Sequence, residues 1–272
     1  MSEPRQTGER LPELVQIMRR LLSPDGCPWD REQTLETLRP YVIEEAHEVV
    51  DAIDRRDMGN LREELGDLLL QIVFQSELAG AHFGIDDVVG AICDKMIRRH
   101  PHVFGDETAK DSAAVLARWE SLKAKEKKDR GVLEGVPVAM PALLRALRVG
   151  EKAAHLGLDW PDLRGPREKL EEELREFDEA VERGDKGDIE GELGDVLFAV
   201  VSLARKLSVD PEAALRRTLD RFAERVRFVE ERGRERGVHP AELPFTELDA
   251  LWNEAKEALR RRVRPRARGP TS

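Results

Sequence analysis

The feature that most constrains this chain is an acidic pattern that occurs twice in register. Glu45-x-x-Glu48 followed by Glu64-x-x-Asp67 returns as Glu173-x-x-Glu176 followed by Glu192-x-x-Asp195, every position shifted by 128 residues. Carboxylates three apart share one face of a helix. Two such helices packed antiparallel, with axes roughly 8–10 Å apart, aim both pairs at one place. The pattern therefore predicts two copies of one helical unit, each presenting four carboxylates to a hard cation.

The duplication extends beyond the acids, as expected of an internal repeat. Residues 44–73 and 172–201 are identical at 13 positions, including Glu64-Leu65-Gly66-Asp67 against Glu192-Leu193-Gly194-Asp195. Gly26-Cys27-Pro28-Trp29 matches Gly157-Leu158-Asp159-Trp160 at a shift of 131. Asp94-Lys95 and Arg99 match Asp220-Arg221 and Arg225 at 126, and Trp119 and Lys123 match Trp252 and Lys256 at 133. The expected organisation is a first unit over 8–130, a linker over 131–140, a second unit over 141–262 and a basic tail over 263–272.

Apolar periodicity and turn residues predict helices throughout, an all-α fold. In the first unit they fall at Leu11–Leu22, 34–56 and 61–82, then a helix capped by Asp86 and reaching Arg99, then one from Ser112. The second unit repeats the plan at 141–155, 167–183, 188–207, 211–232 and 245–262, with Pro211 in a first turn after Asp210. Aromatic content of 5% and a single Tyr weigh against an all-β fold. Glu192 and Asp195 sit among Ile189, Leu193, Val196, Leu197, Val200 and Val201. Acids beside a core face are costly unless they have a task.

All four acids of each quartet offer hard oxygen donors, which favours Mg²⁺, with Mn²⁺ as a substitute, over zinc. The plain alternative is a solvated helix face making ordinary salt bridges. Lys95 and Arg99 are four apart, as are Arg221 and Arg225, so each pair shares a face suited to polyphosphate oxygens. Simple intrahelical pairing with Asp220 or Glu224 would also account for the arginines. Trp119 and Trp252 fit either stacking on a base or packing in a core.

Charge and cysteine content limit the setting. Net charge is −10, from 45 basic and 55 acidic residues, which argues against broad nucleic-acid binding. The two cysteines, Cys27 and Cys93, form neither a metal-ligand spacing nor a disulfide framework, so a reducing, cytoplasmic compartment is expected. The first residues lack the apolar core of a signal peptide, and no stretch approaches the roughly 20 apolar residues of a membrane span. Each unit offers few helices to bury its apolar faces, which predicts association.

The doubled Glu-Glu-x-x-Glu and Glu-Leu-Gly-Asp signatures, Gly26-Cys27-Pro28-Trp29-Asp30, and Arg98-Arg99-His100-Pro101-His102-Val103-Phe104 together resemble the MazG nucleoside triphosphate pyrophosphohydrolases. The resemblance runs from about Leu11 to Leu259. It implies an all-α fold related to dimeric dUTPases, a homodimer, and Mg²⁺-dependent hydrolysis of nucleoside triphosphates to monophosphate and pyrophosphate. It also implies metal ligands at Glu45, Glu48, Glu64 and Asp67 and at Glu173, Glu176, Glu192 and Asp195. Nucleotide contacts would fall on 169–173, including Lys169 and Glu172, on 188–191, including Glu190, on 221–225 and on Trp252, with Lys95 and Arg99 as the first-unit cations. A carboxylate outside the metal's own ligands is needed to take a proton from water, and Glu172 and Glu44 are the candidates.

The two units are not equivalent. Tyr41, His47 and Arg98 of the first correspond to Lys169, Arg175 and Glu224 of the second. Lys169 adds a cation near the acidic helices, which tilts the expectation of turnover towards the second unit. A di-iron carboxylate bundle needs two Glu-x-x-His elements, and only Glu44-x-x-His47 supplies one. A regulatory module that binds metal and nucleotide without turnover would use the same ligands. The arginine-rich end, Arg260 to Arg268, reads as a solubilising tail or a contact for an acidic partner.

Overall fold

A computed structural model of the chain describes residues 10–105, 111, 115 and 131–263, leaving aside the side chains of 261–263. Trp119, Lys123, the helix expected from Ser112 and the tail from 264 lie outside the described residues. The chain divides into two compact units, Met1–Lys128 and Asp129–Ser272. Every regular element among the described residues is helical.

The first unit contains α1 (Leu11–Leu22), α2 (Pro28–Glu32), α3 (Arg39–Arg55), α4 (Met58–Ala79), α5 (Ile85–Arg99) and α6 (Pro101–Phe104). Its core gathers Val15 and Met18 of α1, Val73 and Phe74 of α4, Ile85 of α5, and Leu38. The second unit contains α7 (Ala142–Ala154), α8 (Arg164–Arg183), α9 (Lys186–Lys206), α10 (Pro211–Glu235), a short 3₁₀ turn at Pro240–Glu242, and α11 (Phe245–Val263). In each unit the two acid-bearing helices pack on one another, α3 on α4 and α8 on α9.

The tight turn between those helices has a chemical cause that recurs. Asp57 accepts hydrogen bonds from the Gly59 and Asn60 backbone N–H groups, and Asp185 does the same for Gly187 and Asp188. Such a cap satisfies donors that the first helical turn leaves without partners. Ala52 and Ala180, at matching places, are fully buried. Their small side chains permit close approach of the packed helices at these points.

Several expected boundaries are corrected. The helix expected over 34–56 starts at Arg39, because Thr34 and Thr37 bond to each other's backbone N–H and hold a turn ahead of Pro40. The helix expected from 61 starts at Met58, since Asp57–Asn60 is a capped helix start rather than a free turn. In α5 the capping carboxylate is Asp87, not Asp86; its Oδ2 accepts from the Gly84 N–H. The short helices α2 and α6, each opened by a proline, were not foreseen. The segment 131–140 carries a turn whose Val132 and Glu134 carbonyls accept from Lys152 Nζ of α7.

The core-facing reading of α9 is also corrected. Leu193, Leu197 and Val200 are exposed, and burial falls on Ala199, Val201 and Ser202. In the first unit Leu65, Leu69 and Ile72, 128 residues earlier, are exposed likewise. Ile53 of α3 and Val181 of α8, also 128 residues apart, are exposed as well. Among the described residues, the helices of each unit leave these side chains exposed.

Candidate metal and nucleotide site

Three acids of each quartet converge. Glu45, Glu48 and Glu64 each bring a carboxylate oxygen within 4.8 Å of the others, and Glu173, Glu176 and Glu192 do the same in the second unit. Asp67 and Asp195 sit one turn along α4 and α9, and an aspartate reaches one methylene less far than a glutamate. Asp67 is still close enough to Glu45 to act on it: burial, then the charges of Asp67, Glu48 and Glu64, push the Glu45 carboxyl up. Glu64 is pushed up by burial and by Glu48. Glu176 is pushed up by burial and Glu173, with Lys169 opposing.

Carboxylates crowded this way repel one another, and a divalent cation among them would relieve the repulsion. Oxygen-only donors, with water able to enter because Glu48 and Glu176 are exposed, suit a hard cation that keeps part of its hydration. The donor set thus fits Mg²⁺ or Mn²⁺.

The remaining expected site residues are spread over the same elements. Lys169 Nζ lies 2.9 Å from Glu172 Oε1 and 2.6 Å from Glu173 Oε1, and these two carboxylates hold the ammonium well above its ordinary value. Glu44 is exposed on α3, and Glu190 and Asp195 are exposed on α9. Lys95 and Arg99 are half-buried on α5. On α10, Arg221 donates to Thr218 Oγ1 at 2.8 Å. The Arg225 guanidinium lies over the Trp252 ring at 5.5 Å.

Sequence reasoning missed the surroundings of Trp252. Its ring sits 5.0 Å from that of Phe222, and both line a cavity of about 590 Å³ together with Val226, His239, Phe245 and Leu248. The signal was present, since Phe222 lies between Arg221 and Arg225. It was missed because α10 and the turn at Pro240 had no assigned relation. Asp159 was also passed over: Arg205 and Lys206 clamp it, and they drive its carboxyl far below the usual carboxylate range.

The family model described as the MazG nucleotide pyrophosphohydrolase domain matches residues 33–104 and 166–229. The chain belongs to the MazG family. It is 45% identical over 257 residues to the nucleoside triphosphate pyrophosphohydrolase/pyrophosphatase MazG of Thermotoga maritima, covering 93% of this chain and 98% of that one. It is 42% identical over 258 residues to a nucleoside triphosphate pyrophosphohydrolase of Escherichia coli strain K12, covering 91% of this chain and 97% of that one. Both matched segments contain an acid-bearing helix pair.

Proposed function

We propose that this chain is a hydrolase of acid anhydrides, a nucleoside triphosphate pyrophosphohydrolase that cleaves between the α and β phosphates to give a nucleoside monophosphate and pyrophosphate. The observation that carries the reading is similarity over almost the whole length to proteins named for that reaction. The converging carboxylate triplets support it chemically.

When bound, Mg²⁺ would neutralise phosphate oxygens and make a coordinated water more acidic. Glu173, Glu176, Glu192 and Asp195 would hold it in the second unit, and Glu45, Glu48, Glu64 and Asp67 in the first. Glu172, or Glu44 in the first unit, would accept the water's proton. Lys169, Arg221 and Arg225 would take up negative charge on the phosphates, and Lys95 and Arg99 are the matching cations of the first unit. Glu190 would face the nucleotide from α9, and Trp252 with Phe222 would receive its base. Turnover is assigned to the second unit, because Lys169 places a cation beside its triplet where the first unit has Tyr41.

The repeated exposed stripe of Leu65, Leu69 and Ile72, and of Leu193, Leu197 and Val200, supports a homodimer in which a second copy covers these faces. Free Cys27 and Cys93 support a cytoplasmic setting, and no helix among the described residues is long and apolar enough to cross a membrane. Removal of unwanted triphosphates from the nucleotide pool is the role this activity suits. A panel of nucleoside triphosphates with Mg²⁺, followed by phosphorus NMR, tests the reaction. Monophosphate plus pyrophosphate is expected; diphosphate plus phosphate, or no turnover of any triphosphate, would refute it.

A further inference from the structure

Among the described residues, one basic side chain stands at the second triplet where the matching position at the first holds none. Lys169 contacts Glu173 Oε1 at 2.6 Å, and Glu173 is buried, so this carboxylate has little access to water as an alternative partner. The same ammonium reaches Glu172 at 2.9 Å. The matching residue in the first unit is Tyr41, whose ring packs edge-on to Trp29 at 6.2 Å. One unit therefore carries an internal cation where its twin carries an aromatic ring.

A divalent ion on Glu173 would lie within a few ångströms of the Lys169 ammonium, close enough for strong repulsion. An ammonium on a flexible stem changes partners readily, and phosphate oxygens are strong acceptors for it. We propose that Lys169 is a resident counter-cation of the second triplet. It competes with divalent metal for Glu173 and yields when a triphosphate oxygen takes its ammonium. Metal and triphosphate then enter the second site cooperatively, each favouring the other by the same factor. The first triplet, without a lysine at this place, binds metal on its own. This rests on the metal-binding reading of the triplets given above.

Mn²⁺ titration of the intact chain, read by the electron paramagnetic resonance of free Mn²⁺, tests it. Glu45→Gln with Glu64→Gln silences the first triplet so that the second is read alone. Without nucleotide, Lys169→Met should bind Mn²⁺ about tenfold more tightly than its parent, and Lys169→Arg should resemble the parent. A saturating nucleoside triphosphate with an α,β-methylene bridge should close the gap between Lys169→Met and its parent. In the reverse experiment, Tyr41→Lys should weaken Mn²⁺ binding at the first triplet in a chain carrying Glu173→Gln and Glu192→Gln; this decides the matter should Lys169→Met fail to fold. Unchanged or weaker Mn²⁺ affinity in Lys169→Met overturns the competition, and a gap that persists with the analogue overturns the release by triphosphate. Absence of Mn²⁺ uptake by the second triplet in both parent and Lys169→Met removes the metal reading itself.

Discussion

Arg56 and Gly184 occupy the same place in the two repeats, at the end of the first acid-bearing helix, and both adopt the left-handed backbone conformation, with φ of 55° and 75°. Glycine takes this conformation at no steric cost, whereas an L side chain crowds the following carbonyl. Arg56→Gly should therefore stabilise the chain by about 0.5–1.5 kcal/mol, partly offset by the greater freedom of glycine in the unfolded chain. Urea unfolding followed by circular dichroism checks this, and a loss of stability would contradict it.

Asp159 joins the loop before α8 to the end of α9. Arg205 donates to both of its carboxylate oxygens, and Lys206 donates to Oδ2 and to the Trp160 carbonyl. All three side chains are at most 21% exposed. Asp159→Asn keeps the shape and removes the charge, so it should cost about 1–2 kcal/mol after allowance for partial solvation. Thermal unfolding at neutral pH measures the loss.

The same groups predict a two-limbed dependence of stability on pH. The folded state holds the Asp159 carboxyl below its ordinary 3.8, so its contribution is present above that value and is lost as pH falls through the lower, folded value. Glu45, Glu64 and Glu176 are held above their ordinary 4.5. Their contribution is present below 4.5 and is lost as pH rises through the raised values. Metal-free protein should accordingly show Tm rising through the acid range and then declining. Millimolar Mg²⁺ should remove the decline and leave the acid limb in place. A decline that Mg²⁺ does not touch would contradict the assignment of the acids to a metal.

Much of this arrangement is legible in sequence because identical residues have identical local work. Asp57 and Asp185 cap, Ala52 and Ala180 fill the helix contact, and Val73 and Val201 are buried. The acids at Glu45 and Glu173 recur at a spacing that helix periodicity places on one face with Glu48 and Glu176. What periodicity does not carry is whether anything covers an apolar face. Leu193 and Leu197 read as core residues from their spacing, yet both are about half exposed. The clamp on Asp159 joins residues 46 and 47 positions apart, beyond the reach of any local pattern.

Pyrophosphate release by the intact protein, with nucleoside triphosphate and Mg²⁺, tests the central claim most directly when the two triplets are neutralised in turn. Glu173→Gln with Glu192→Gln should reduce the rate by a factor of at least about 100, as loss of a catalytic metal requires. Glu45→Gln with Glu64→Gln should leave most of the rate. Full activity in both double variants would contradict the account.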